Sequence, residues 1–205
     1  MKHIDTIIFD LGGVLIDWNP EYVYLDVFNG DREKMKWFFD SICTHDWNEN
    51  QDAGHPLAKA TEERVALFPE YEEWIRMYYG RWEDMLGEAI FETVDILDRL
   101  ISKKQYKIVA LTNWSHETFP VALERFDFLQ WFEGIVVSGK EGTRKPFIDI
   151  YETTLNRFKI KAENSLFIDD NLRNIEAANT LGINGIHFKN PNLLIHQLSE
   201  FNITL

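Results

Sequence analysis

Asp10 follows a short apolar run, Thr6-Ile7-Ile8-Phe9, and precedes Gly12-Gly13. A carboxylate placed there can attack phosphorus and form an aspartyl-phosphate, splitting one hard displacement into two. The glycines leave room for a phosphoryl group beside the backbone. Three more polar clusters close apolar runs. Thr112-Asn113 ends the run from Lys107, Lys145 lies in the loop after Gly134–Val137, and Asp169-Asp170 ends the run from Ser165. Phosphoryl transfer mostly needs positioning and charge neutralisation. Thr112 offers a hydroxyl, and the Asn113 amide an N–H, to phosphate oxygens, while Lys145 offers a full positive charge. Asp10 and Asp170 carry hard oxygens suited to octahedral Mg²⁺, with the Gly12 carbonyl as a third ligand. Asp169 and Asn174 fall in the metal shell or just behind it.

Taken singly, each residue has a simpler explanation. An Asp after a strand often forms a turn, and Thr112 could cap a helix. A lone lysine is usually solvated, and Asp169-Asp170 could cap the helix that follows them. These explanations fail jointly. They do not account for four such groups at strand ends, where an open parallel sheet binds its ligands.

The elements that must position these residues can be read from periodicity. Strands are expected at 6–9, 107–111, 134–137, 165–168 and 185–188. One-sided apolar helices run through Ile90, Val94, Leu97, Leu100 and Ile101, through Ile150, Tyr151, Leu155 and Phe158, and through Ile175, Ala178 and Leu181. Alternating β and α segments predict an α/β fold with a Rossmann-like parallel sheet covered on both faces. Residues 18–87 break the rhythm and show no convincing strand. They predict a small α-helical cap inserted between two pieces of the core, 1–17 and 88–205. Asn19-Pro20 and Gly87 punctuate its ends. Within it, the Trp and Tyr residues of 71–82 are expected in the cap's own core. His45, Asp46, Asp52 and His55 lack a metal-ligand spacing and are expected in a solvated loop.

The four clusters together resemble the haloacid dehalogenase-like superfamily. Phe9-Asp10-Leu11-Gly12-Gly13-Val14-Leu15 is similar to its first motif and Leu111-Thr112-Asn113 to its second. Lys145 of Gly142-Thr143-Arg144-Lys145-Pro146 is similar to its third, and Phe167-Ile168-Asp169-Asp170-Asn171, with Asn174, to its fourth. The resemblance spans nearly the whole chain. It implies a Mg²⁺-dependent phosphatase acting on a small phosphorylated metabolite, such as a sugar phosphate, with Asp10, Thr112 and Lys145 catalytic.

The chain departs from the family pattern at one position. Most phosphatases of this superfamily carry a second aspartate two residues after the nucleophile, as general acid and base. Here Gly12 occupies that position, and general acid–base catalysis contributes ~10²–10⁴-fold. Either the leaving group departs without help, or the cap supplies an acid, or the chain is not a phosphatase. A similar branch with glycine at this position includes sugar-1-phosphate phosphatases. Asp17, Asp46, Asp52 and His55 are the candidate substitutes, and the run from Trp47-Asn48 to Gln51-Asp52-Ala53-Gly54 resembles a substrate-facing cap turn. The competing readings are a metal-independent 2-haloacid dehalogenase, which also lacks the second aspartate, and a catalytically weak phosphate- or metal-binding protein.

Composition narrows the partners. The formal charge of −13 argues against nucleic acid and anionic membranes, and no run reaches the length of a membrane span. Cys43 is the single cysteine, which excludes an intrachain disulfide and suits a reducing cytoplasm. A small phosphate ester is the expected partner, and the chain is expected to be a monomer or homodimer.

Overall fold

The computed structural model describes residues 3–205, so the first two residues of the expected segment 1–17 lie outside the described residues. In chain order the strands are β1 (Thr6–Phe9), β2 (Ile16–Trp18), β3 (Leu86–Ala89), β4 (Lys107–Thr112), β5 (Ile135–Val137), β6 (Ser165–Asp169) and β7 (Asn184–His187). The helices are α1 (Glu21–Val27), α2 (Arg32–Ser41), α3 (His45–Asp52), α4 (Leu57–Leu67), α5 (Glu72–Gly80), α6 (Trp82–Met85), α7 (Phe91–Ser102), α8 (Phe119–Arg125), α9 (Ser138–Glu141), α10 (Ile148–Phe158), α11 (Leu172–Thr180) and α12 (Pro191–Glu200).

Every residue of β1 is buried, as expected of a strand covered on both faces. It occupies the centre of a five-stranded sheet ordered β5-β4-β1-β6-β7, in which every pairing is parallel. Alternate side chains divide the core. Ile7 and Phe9 pack with Leu97 and Leu100 of α7 and Leu194 and Leu198 of α12. Ile8 points the other way and packs with Ile150 and Tyr151 of α10 and Ile175 and Ala178 of α11. The result is the Rossmann-like α/β core that the alternating pattern predicts.

Helices α1 to α6 form a unit with its own core around Tyr24, Phe38, Ile75 and Tyr78. The Tyr24 hydroxyl donates to the Trp74 carbonyl at 2.6 Å, satisfying a buried polar group. One expectation fails at the base of this unit. Trp18 and residues 86–87 belong to an antiparallel two-stranded ribbon, β2–β3, rather than to strand-free sequence. Gly87 lies inside β3, where a Cβ would stand 2.6 Å from the Asp17 carboxylate. Its glycine serves that close approach. Three- and four-residue strands are too short to show an alternating pattern. Among the described residues no helix is long and apolar enough to cross a membrane.

Candidate active site

The sheet register assembles the site. Phe9 pairs with Ala110 on one side and Ile168 on the other, so the chain leaves β1 between the ends of β4 and β6. The Asp10 N–H donates to the Ile168 carbonyl at 2.9 Å, holding the first residue beyond the strand in place. Carboxylate oxygens of Asp10, Asp169 and Asp170 all lie within 4.8 Å of one another. Lys145 is fully buried among them. Its Nζ donates to Asp169 Oδ2 at 2.7 Å, Asp10 Oδ2 at 2.8 Å and the Leu111 carbonyl at 3.2 Å.

Lys145 is not solvated. Asp169 and Asp170 do not cap α11, because Asn171 does so by accepting from the Arg173 N–H at 3.0 Å. Thr112 caps nothing: its hydroxyl is buried without a hydrogen-bond partner among the described residues. Asn174 donates its side-chain N–H to Asp169 and leaves its own buried side-chain oxygen, Oδ1, unpartnered. Buried polar groups are usually satisfied, so both atoms are open to a ligand or ion.

The Asn113 side chain is engaged with Lys145. Its side-chain oxygen accepts from the Lys145 N–H at 2.8 Å and its nitrogen donates to the Lys145 carbonyl at 3.0 Å. The side chain therefore clamps the lysine's backbone to the end of β4. Asp169 is equally committed, accepting from Lys145, Asn174 and the Asn171 N–H. Asp170 is exposed, and a Cβ on Gly13, where φ is +71°, would run into its carboxylate. Gly12 has no such constraint, and a Cβ there would meet nothing within 4 Å.

Charge is unbalanced. Burial lifts the Asp10 carboxyl well above its ordinary pKa; Lys145 opposes this, while Asp169 and Asp170 add to it. Burial works to lower the Lys145 pKa, but the charges and hydrogen bonds of Asp10 and Asp169 hold it above its ordinary value. Partial burial and the Asp169 charge raise Asp170. Three hard carboxylates facing one ammonium suit a divalent cation, which would relieve their repulsion.

A cavity of about 80 Å³ lies between residues of the helical unit and residues of the sheet's loops. Gly12 and Asn113 line it from the core, Asp52 from the end of α3, and Trp18, Tyr79, Trp82 and Trp114 supply aromatic walls. Two sequence expectations are corrected here. Residues 45–52 form a helix capped by Thr44, whose hydroxyl accepts from the Trp47 N–H at 3.2 Å, and not a solvated loop. Of the aromatics in 71–82, Trp74, Tyr78 and Tyr79 pack in the core of the helical unit as expected, but Trp82 joins the core beside the sheet, and Tyr79 and Trp82 also line the cavity. Trp18 and Trp114 were not singled out by sequence, although Trp114 directly follows Thr112-Asn113.

The four candidate proton donors also separate. Asp17 accepts from the Tyr22 hydroxyl. His55 pairs with Glu63 at 2.8 Å. Asp46 is exposed in the first turn of α3. Only Asp52, of the four, lines the cavity.

Comparison with known proteins identifies the family. A family model described as haloacid dehalogenase-like hydrolase matches residues 7–188. A sesquiterpene phosphatase of Aspergillus oryzae is 28% identical over 191 residues, covering 88% of this chain and 87% of that protein. A phosphorylated carbohydrates phosphatase of Thermotoga maritima is 22% identical, covering 96% and 88% respectively. A haloacid dehalogenase-like hydrolase of Bacillus subtilis, solved bound to magnesium, superposes with a TM-score of 0.72 at 20% identity, over 97% of this chain and 100% of that one. With its motifs assembled at one end of a parallel sheet and its match running over residues 7–188, the chain belongs to the haloacid dehalogenase-like hydrolases.

Proposed function

We propose that this hydrolase is a Mg²⁺-dependent phosphatase acting on a small phosphorylated metabolite through an aspartyl-phosphate on Asp10. The observation that carries the reading is the unpartnered, buried Thr112 hydroxyl at the same sheet end as the Asp10–Lys145–Asp169 cluster. A phosphoryl oxygen would satisfy that hydroxyl. Both curated relatives described above are named as phosphatases, of a terpene and of carbohydrates, which supports the reaction type.

Each residue then has a task. An Asp10 oxygen attacks phosphorus as the bond to the leaving oxygen breaks. Thr112 donates to a phosphoryl oxygen, and Lys145 stays charged and stabilises the charge that develops. Asn113 keeps Lys145 in place. Water then attacks the phosphorus of the aspartyl-phosphate, the bond to Asp10 breaks, and inorganic phosphate leaves. Asp10, Asp170 and the Gly12 carbonyl would hold Mg²⁺, with Asp169 and Asn174 behind them. When bound, the ion supplies positive charge against the phosphoryl oxygens. Residues 18–87 would act as a cap over the core formed by 1–17 and 88–205, excluding water during transfer.

A metal-independent 2-haloacid dehalogenase would bring a carboxylate substrate against three clustered carboxylates, and repulsion disfavours it. The test is phosphate release from a panel of esters, with Mg²⁺ and with chelator, for the native chain and Asp10→Asn. Mg²⁺-dependent release that Asp10→Asn abolishes is expected. No release from any ester, or release that survives in Asp10→Asn, would overturn the proposal. Halide release from 2-haloacids in chelator would replace it with the dehalogenase.

A further inference from the structure

Gly12 leaves open space two residues beyond the nucleophile, and that space borders the cavity that Asp52 lines. Asp52 is the last residue of α3 and the carboxylate among the cavity's lining residues. Both domains hold it. Its backbone carbonyl accepts from the Ser138 hydroxyl of the core, and its carboxylate accepts from the Ser115 N–H, also of the core. From its own helix, Asn48 Nδ2 donates to Asp52 Oδ2 at 3.3 Å. The neighbouring Gly54 lies so close to the Gly139 carbonyl that a Cβ there would stand 2.9 Å from it. The end of α3 is therefore docked onto the core, not hung in solvent.

We propose that Asp52 is the general acid and base of this phosphatase, reaching from the cap into the place where Gly12 provides no side chain. The proposal rests on the phosphatase reading. In the first step the Asp10–phosphorus bond forms, the phosphorus–oxygen bond to the leaving group breaks, and the Asp52 proton passes to that oxygen. In the second step water attacks phosphorus, its proton returns to Asp52, and the bond to Asp10 breaks. Atoms and charge balance without a further reactant.

The surroundings suit this task. Glu49 on α3, Arg144 and Lys145 after α9, and Tyr78 and Tyr79 on α5 are the titratable groups that interact with Asp52. Burial and the Glu49 charge push its carboxyl up to about 7; Arg144, Lys145 and the Ser115 N–H oppose them. A carboxyl poised near neutrality exchanges protons in both directions.

The experiment compares the native chain, Asp52→Asn and Asp10→Asn, in Mg²⁺, on an aryl phosphate and an alkyl phosphate. A phenolate with a strongly acidic conjugate phenol leaves without a proton; an alkoxide does not. Asp52→Asn should lower kcat/KM for the alkyl ester by ~10²–10⁴-fold and for the aryl ester by under ~10-fold. In the native chain, alkyl-ester turnover should fall as pH rises through about 7, and Asp52→Asn should remove that limb. Equal losses on both esters, or an unchanged limb, would make Asp52 merely structural and overturn the proposal. If the native chain hydrolyses neither ester, the phosphatase reading falls and takes this one with it. Should Asp52→Asn fail to fold, ¹³C-carboxyl NMR of the native chain decides: a carboxyl titrating near 7 and assigned to Asp52 supports the proposal, and one at ~4, the ordinary value, refutes it.

Discussion

Glu49, on α3 of the helical unit, forms an ion pair with Arg144 at 2.7 Å, and Arg144 immediately precedes Lys145. The other Glu49 oxygen pairs with Arg173, at the start of α11 just beyond Asp169-Asp170. One buried carboxylate of the helical unit is thus tied to two of the loops that build the site. The Glu49 side chain is 4% exposed and that of Arg144 12%, so neither charge is well solvated if the other is removed. Glu49→Gln should destabilise the protein by about 1–3 kcal/mol and raise KM more than it lowers kcat. Urea unfolding and steady-state kinetics check this. A double-mutant cycle with Arg144→Gln showing no coupling would mean that the pair does not hold the two units together.

Gly12 and Gly13 should respond differently to the same change. Gly13→Ala forces a φ of +71° on a side-chain-bearing residue and drives its Cβ into Asp170. A loss of about 1–3 kcal/mol is expected from such strain, together with weaker Mg²⁺ binding. Gly12→Ala meets open space and should leave the melting temperature nearly unchanged. Gly12→Asp should fold equally well. If Asp52 is the working acid, it should restore alkyl-ester turnover to Asp52→Asn, and failure to do so in a folded double variant would count against that assignment.

Mg²⁺ with phosphate should raise the melting temperature of the native chain, by about 2.7 kcal/mol of stability at a hundredfold excess over Kd. Asp170→Ala removes one of three carboxylates clustered within 4.8 Å. Most of the gain should vanish in that variant while the melting temperature without metal holds. An undiminished Mg²⁺ response, read by calorimetry, would remove Asp170 from the ligand set.

Asp52 should also leave a signature in stability. Its folded pKa, about 7, lies above the ~4 of an unfolded aspartate. The folded state therefore favours the protonated form. Its contribution is fully present below pH ~4 and is lost as pH rises through about 7. Asp52→Asn, which keeps the shape and cannot ionise, should match the native chain at low pH and become relatively more stable as pH rises towards 8. Thermal melts across that range check it. A difference independent of pH would show that Asp52 is not held protonated by its surroundings.

Much of the architecture was legible because it is local. A strand covered on both faces must be apolar throughout, so Thr6–Phe9 and Ser165–Ile168 stand out from their neighbours. A helix laid on a sheet must keep a stripe, which exposes α7, α10 and α11. The strand ends then locate Asp10, Thr112 and Asp169 without reference to anything distant. The ribbon of Ile16–Trp18 and Leu86–Ala89 escaped because its strands are too short to carry a period.

The sequence by itself therefore determined the order of the elements, the parallel sheet and the groups that stand at its edge. Tertiary structure alone decided what those groups do to one another. Asn113 and Lys145 are 32 residues apart, Glu49 and Arg173 are 124 apart, and no local pattern says that their side chains meet. The same holds for the choice among Asp17, Asp46, Asp52 and His55. All four are polar residues in one acidic stretch, and only docking the end of α3 against Ser115 and Ser138 turns Asp52 inward and leaves Asp46 in water. Burial and charge are properties of the assembled surroundings, so the pKa that would make Asp52 useful does not exist until the end of α3 has met Ser115 and Ser138.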